Sequence, residues 1–202
     1  MKRNRILALL VFPFIFSACV VISFYPLYTT DDLFPNELLL GKWMDQDSSL
    51  WKFDYAYNGK EIPENCDSTS YILKINERNN EDFGDASLLV HVVRLKGHYF
   101  LDFYLDDYFD ELNPTLFDFH LMPVHTFAKL EINGDGMTIS WFNPEWLEKK
   151  LEKGKIRIRH EDNGEHILLT AKTKELQKFV IKYANQKEAF EDGLVSTLKK
   201  VN

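Results

Sequence analysis

"SLLVHVVRLKGHYFLDFYL", residues 87–105, decides the fold. Two runs rich in β-branched and aromatic residues flank Lys96-Gly97, and a run–turn–run of this kind is a β-hairpin. A two-residue turn pairs Leu95 with His98, Val93 with Phe100 and His91 with Asp102. Side chains alternate across a strand. Val90, Val92, Leu101 and Phe103 therefore share one uniformly apolar face, the expected interior. The pairing also puts His91 beside Asp102. A His–Asp pair is half of a catalytic arrangement. No serine, cysteine or third group is placed beside it by sequence, so a structural pair is the competing reading.

The same period of two extends outward along the chain. In "SLWKFDYA", Trp51, Phe53 and Tyr55 alternate with polar residues, and "TSYILKIN" repeats this with Tyr71, Leu73 and Ile75. "LLLGKWMD", "FDFHLM", "HTFAKLEI" and "MTISWF" read as further strands, and "KIRIRH" and "HILLT" flank the hairpin signal Asn163-Gly164. Helices come late. Asn143, Pro144 and Gly154 bound a helix at about 144–153. Leu176, Phe179, Val180, Tyr183 and Ala184 form an apolar stripe at 173–184. Asn185 with Glu188 resembles a capping box opening a last helix at 186–192. The expected fold is mainly β: an antiparallel barrel of about eight to ten strands with C-terminal α-helices packed outside.

The bulk numbers fit one domain. The chain has 202 residues, 45% hydrophobic and 27% charged, with 16 Phe, 9 Tyr and 4 Trp to build a core. The net charge is -7, without a Lys/Arg run in the folded part. Phosphate binding needs clustered cations, so nucleic acid is not an expected partner. Two cysteines, Cys19 and Cys66, are too few for a disulfide-stapled scaffold.

Lys2, Arg3 and Arg5 precede an uncharged apolar run, Ile6 to Phe16, and then small Ser17 and Ala18. This is the grammar of a secretory signal. The run is shorter than the ~20 residues a spanning helix needs. "FSAC" resembles the lipobox of bacterial lipoproteins. That resemblance implies cleavage between Ala18 and Cys19, a diacylglyceryl group on the Cys19 sulfur and acylation of the new N-terminus. Val20 rather than Asp after the cysteine favours the outer membrane, facing the periplasm, by resemblance to enterobacterial sorting. The expected division is a signal peptide at 1–18, a lipidated N-terminus and tether at 19–37, and a single domain at 38–202. "VVISFYPLYTTDDLFPNE" is not a Ser/Gly-rich linker. Phe24, Tyr25, Leu27 and Tyr28 are expected to pack on the domain or at the bilayer surface.

Gly41-Lys42-Trp43 resembles the G-x-W signature of lipocalins and related calycins. In those barrels an Arg from a late strand stacks on the Trp, a role the resemblance implies for Arg157 or Arg159. "HLMPVHTFAKLE", "NPEWLEK", "IRIRHE" and "LLTAKTKELQKF" are similar to a family of small bacterial lipoproteins with no assigned activity.

Chemistry is sparse. His120 and His125, five apart, fall on opposite faces of a regular strand and do not have a metal-ligand spacing. A two-residue turn at Asn163-Gly164 would pair Glu161 with His166 and His160 with Ile167, so those histidines do not converge. Asp106, Asp107, Asp110 and Glu111 lack the spacing of a calcium loop. There is no G-x-S-x-G, H-E-x-x-H or C-x-x-C. No metal or cofactor is expected. The reading carried forward is a membrane-anchored lipoprotein whose barrel binds a small hydrophobic ligand, lined by Trp43, Trp51, Phe53, Tyr71 and Phe100. The alternatives are a structural or protein-interaction component of the envelope, and a hydrolase-type enzyme using His91–Asp102 or the His120/His125 region.

Overall fold

Lys96 and Gly97 both take left-handed backbone conformations, with φ of 51° and 85°. That is the geometry of a tight hairpin turn, which glycine enters without strain. It fixes the pairs Leu95–His98, Val93–Phe100 and His91–Asp102, as the sequence predicts. A computed structural model describes residues 20–56, 68–76, 86–105, 116 and 120–201. Ala18, Cys19, Cys66 and the acidic cluster Asp106 to Glu111 lie outside the described residues.

Eleven strands are present among the described residues: β1 (Ile22–Ser23), β2 (Gly41–Met44), β3 (Leu50–Tyr55), β4 (Ser70–Asn76), β5 (Ala86–Leu95), β6 (His98–Leu105), β7 (His125–Asn133), β8 (Gly136–Trp141), β9 (His160–Asp162), β10 (Ile167–Leu169) and β11 (Val195–Val201). Eight of them close in the order β2–β3–β4–β5–β6–β7–β8–β11, and β11 returns to β2. Every pairing around that ring is antiparallel. Closure leaves the barrel without an exposed edge. The helices α1 (Pro144–Glu152) and α2 (Thr173–Tyr183) lie outside the barrel, between β8 and β11 in the chain.

The barrel wall separates two cores. Inside are Trp43, Phe53, Tyr71, Leu73, Val90, Val92, Leu101 and Leu130 with their neighbours. Outside, Val93, Phe100 and Phe127 pack against Trp146, Leu147, Leu176, Phe179 and Val180 of the helices. Alternation along β5 and β6 thus supplies both sides of the wall at once. Trp43 is buried in the barrel core and pairs with Trp51 across β2–β3. Its Nε1 donates to Leu39 O at 2.8 Å. Gly41, two residues before it, has φ of 110°, which L side chains rarely adopt, so this position requires glycine. The cation over the Trp43 ring is Lys200 of β11, with Nζ 5.2 Å from the centroid, and neither expected arginine. Arg159 instead pairs with Glu175 at 3.0 Å.

Residues 20–40 form a strap down the outer wall. β1 pairs with the start of β7, and β10 lies parallel to β1. Leu27 N–H donates to Asp102 Oδ2 at 2.8 Å. Leu33 bridges Val93, and Asn36 N–H donates to the Tyr71 hydroxyl at 2.8 Å. Gln177 of α2 donates to Leu27 O at 3.0 Å and to Asp32 Oδ2 at 2.7 Å. Partial burial pushes the Asp32 carboxyl up. The Thr29 hydroxyl and N–H, Gln177 and the charge of Lys174 outweigh that and hold it below its ordinary value. The segment 20–37 is therefore packed on the domain. The eight strands of the ring all lie within 41–201.

Four local expectations are corrected. "KIRIRH" forms a strand only from His160, because Arg159 O already accepts the N–H groups of Thr170 and Ala171. The β9–β10 hairpin pairs Asp162 with Ile167, Glu161 with Leu168 and His160 with Leu169, two residues from the expected register. Asp162 Oδ1 accepts from Gly164 N–H, and Asn163 Oδ1 accepts from the N–H groups of Glu165 and His166. These side chains hold a four-residue loop in place of the two-residue turn. His166 therefore lies in the loop and does not oppose Glu161. The last helix shrinks to a 3-10 turn over Lys187–Ala189, N-capped by Gln186 without a side-chain bond, so Asn185–Glu188 is not a capping box. His120 to Val124 is not strand, and the rest of "FDFHLM" lies outside the described residues.

Candidate functional site: the open mouth of the barrel

One end of the barrel is where β2, β4, β6 and β8 finish and β3, β5, β7 and β11 begin. A cavity of ≈ 540 Å³ opens there. Its apolar walls are Trp51, Leu73, Ile75, Leu88, Phe103 and Trp141, with Val20 of the strap and Leu194. Phe103 and Trp141 stack, with centroids 5.4 Å apart and planes at 24°. The polar side is Asp45, Gln46, Asp47, Ser49, Thr126 and Ser196. Among the described residues, no Lys, Arg or His lines the cavity.

The β2–β3 loop fixes this polar side. Asp45 Oδ1 accepts from the N–H groups of Asp47 and Ser49, at 2.9 and 2.8 Å. Its Oδ2 accepts from Trp51 Nε1 at 3.0 Å. One carboxylate thus shapes the loop and holds a mouth tryptophan in one orientation. Gln46 clips the loop to β11: its amide donates to Val195 O, and its oxygen accepts from Thr197 N–H.

Of the five side chains expected to line a pocket, Trp51 does so. Trp43, Phe53 and Tyr71 belong to the packed barrel core and not to the cavity lining. Phe100 is on the other side of the wall, under the helices. Leu73, Phe103 and Trp141 were strand residues in the sequence, but only closure shows that they meet at an open end. A volume of several hundred cubic ångströms, lined by aromatics with a few polar groups, is the usual form of a small-molecule site.

The weak catalytic candidates are brought together differently from the expectation. Asp102 is fully buried on the outer face of β6. His125, not His91, bonds it, with Nδ1 2.7 Å from Oδ1. With the carboxylate as acceptor, the ring N–H donates. Leu27 N–H takes the other oxygen. His91 Nε2 lies 3.1 Å from Ser70 Oγ, and its ring packs on Tyr28 at 4.4 Å between centroids. His120 is exposed, with Nδ1 2.8 Å from Leu116 O. None of these groups lines the mouth. Asp102 holds the strap, which is a structural role.

Other grooves among the described residues are larger or more charged. One of ≈ 850 Å³ lies where β6 begins and β7 finishes, at the end of the barrel opposite the mouth. Its walls combine the β5–β6 and β7–β8 turns with Phe34, Tyr99, Leu130 and Ile132, which pack with the barrel core. The second, of ≈ 480 Å³, gathers Arg157, Arg159, Lys178 and Lys182 beside Phe179, Tyr183 and Glu175. The fold therefore clusters cations that are scattered in the sequence. Among the described residues, no group of three or more His, Cys, Asp or Glu is placed to hold a metal, and no helix is long and apolar enough to cross a membrane.

Comparison of the chain with protein-family models, with curated proteins and with solved structures finds no match.

Proposed function

We propose that this chain is a bacterial lipoprotein, anchored through Cys19, whose barrel takes one small apolar ligand at its mouth. The observation that carries the ligand reading is the ≈ 540 Å³ cavity between Trp51, Phe103 and Trp141. Apolar area removed from water there contributes about 25 cal/mol per Å² before association costs. The described lining carries Asp45 and Asp47 and no cation. A ligand with an apolar body and a neutral or cationic head suits it, and a fatty-acid anion does not.

The anchor reading rests on the "FSAC" lipobox after a charged start and an apolar run. Val20, bonded to Cys19, belongs to the cavity lining, so an acylated Cys19 would bring the mouth to the lipid. Two or more acyl chains hold a protein on a membrane stably. Residence in the outer membrane follows the Val20 sorting position. The lipocalin comparison is supported by the eight-strand up-and-down ring, by Gly41-x-Trp43 and by a cation over that tryptophan. In this chain the helices precede the last strand.

Mass spectrometry of the protein extracted from membranes of the producing cells tests this reading. The expected result is a chain beginning at Cys19 with a diacylglyceryl mass on it, and a non-covalent acyl-bearing adduct under native conditions. Cys19→Ser should lose the modification and the membrane association. A Cys19→Ser protein that fractionates with membranes in the wild-type processed form would sink the anchor. A native spectrum free of adduct would count against the ligand.

A further inference from the structure

The large apolar side chains left exposed are not spread evenly over the surface. Met44, Leu105, Leu194 and Val195 are exposed at strand ends around the mouth. Met122, 57% exposed, lies three residues before β7 starts at that end. Phe24 is exposed just past Ser23, which pairs with His125 at the start of β7. Of the remaining exposed large apolar residues described, Leu116 belongs to the β6–β7 connection, which leaves from and returns to the mouth. Among the described residues, only Leu38 of this set sits at the end opposite the mouth.

The chain's own path marks the same end. The strap begins at Val20 in the mouth, crosses the outer wall through Leu27 and Leu33, and enters β2 at the end opposite the mouth.

We propose that the mouth rim is a bilayer-docking surface, and that the barrel stands mouth-down on an uncharged or zwitterionic lipid leaflet. A ring of separate apolar side chains around an opening suits a fluid surface, which moulds to each of them. Asp45 and Asp47 at the opening, with no cation among the described lining residues, oppose an anionic surface. In this orientation a lipid tail reaches the cavity without crossing water. The inference goes beyond ligand binding and does not require it.

Vesicle flotation tests it, using a chain that starts at Val20 and therefore carries no anchor. The vesicles are phosphatidylcholine, alone or mixed with phosphatidylglycerol. The rim variant is Leu105→Asp with Met122→Asp, neither of which lines the cavity. The control is Leu38→Asp at the end opposite the mouth. Wild type and Leu38→Asp should float with phosphatidylcholine. The rim variant should float at least about tenfold less, because charge replaces inserted apolar surface. Its thermal melt should match wild type, and phosphatidylglycerol should weaken wild-type binding. Three results would overturn the proposal: equal flotation of rim and control variants, wild type that floats with no vesicle, or a rim-dependent dimer by light scattering that forms in place of vesicle binding. Because this chain lacks Cys19 and its cavity is intact, each result is separate from the fate of the anchor and ligand readings.

Discussion

Trp43→Ala is expected to lower the stability of the domain by about 3–5 kcal/mol, the range for truncating a buried aromatic to alanine. Trp43 is 1% exposed and stands opposite Trp51 across β2–β3 and opposite Lys200 across β2–β11. Its removal leaves a void in the barrel core, takes the indole N–H from Leu39 O, and strips Lys200 of its aromatic partner. Whole domains are typically stable by only about 5–15 kcal/mol, so the variant should be visibly marginal. The urea midpoint should fall sharply with an unchanged slope. A midpoint within error of wild type would place Trp43 outside the load of the barrel and remove the local support for the lipocalin comparison.

Asp102→Ala has the second largest expected effect. Both oxygens of a fully buried carboxylate accept hydrogen bonds, one from the buried Leu27 N–H and one from the partly buried His125 Nδ1–H. Each orphaned donor costs about 1–3 kcal/mol, so the loss should be about 2–6 kcal/mol. Asp102→Asn should recover only part of it, since the amide returns one acceptor and presents a donor to the other partner. The damage should start at the strap, with faster hydrogen exchange at Leu27 than at Val92 or Leu101 inside the barrel. If Asp102→Ala melts with wild-type stability and the Leu27 amide stays protected, the carboxylate does not hold the strap.

The barrel was legible in the sequence where a residue's neighbours in space are its neighbours in the chain. The 87–105 hairpin carries its register in a two-residue turn, and alternation on its strands tells inside from outside. That same parity puts Phe100 outside once Leu101 and Phe103 are inside, so its assignment to a pocket conflicted with its own strand. Elements whose partners are remote were not legible. β1 is two residues long and has no period of its own. β11 places a small Ser196 beside Leu198 on its inner face, a faint apolar signal after two helices. The β9–β10 register depended on side-chain bonds from Asp162 and Asn163 rather than on the turn residues. The candidate site behaved in the same way. Trp51 was found from alternation. Val20, Phe103 and Trp141 converge only because an eight-strand ring closes and stays open at one end. The His125–Asp102 bond spans a connection of 19 residues between β6 and β7, and no local pattern encodes it.

The most direct test of the account is a titration of the chain starting at Val20 with the neutral probe N-phenyl-1-naphthylamine, followed by its displacement with a single-chain zwitterionic lipid below its micellar concentration. The account predicts saturable one-to-one binding of the probe and competitive displacement by the lipid. Both should be strongly weakened by Leu88→Trp, which fills the mouth without adding charge, while the melting curve stays that of a folded barrel. Absence of saturable binding, or binding that Leu88→Trp leaves unchanged, would contradict a ligand site in the mouth.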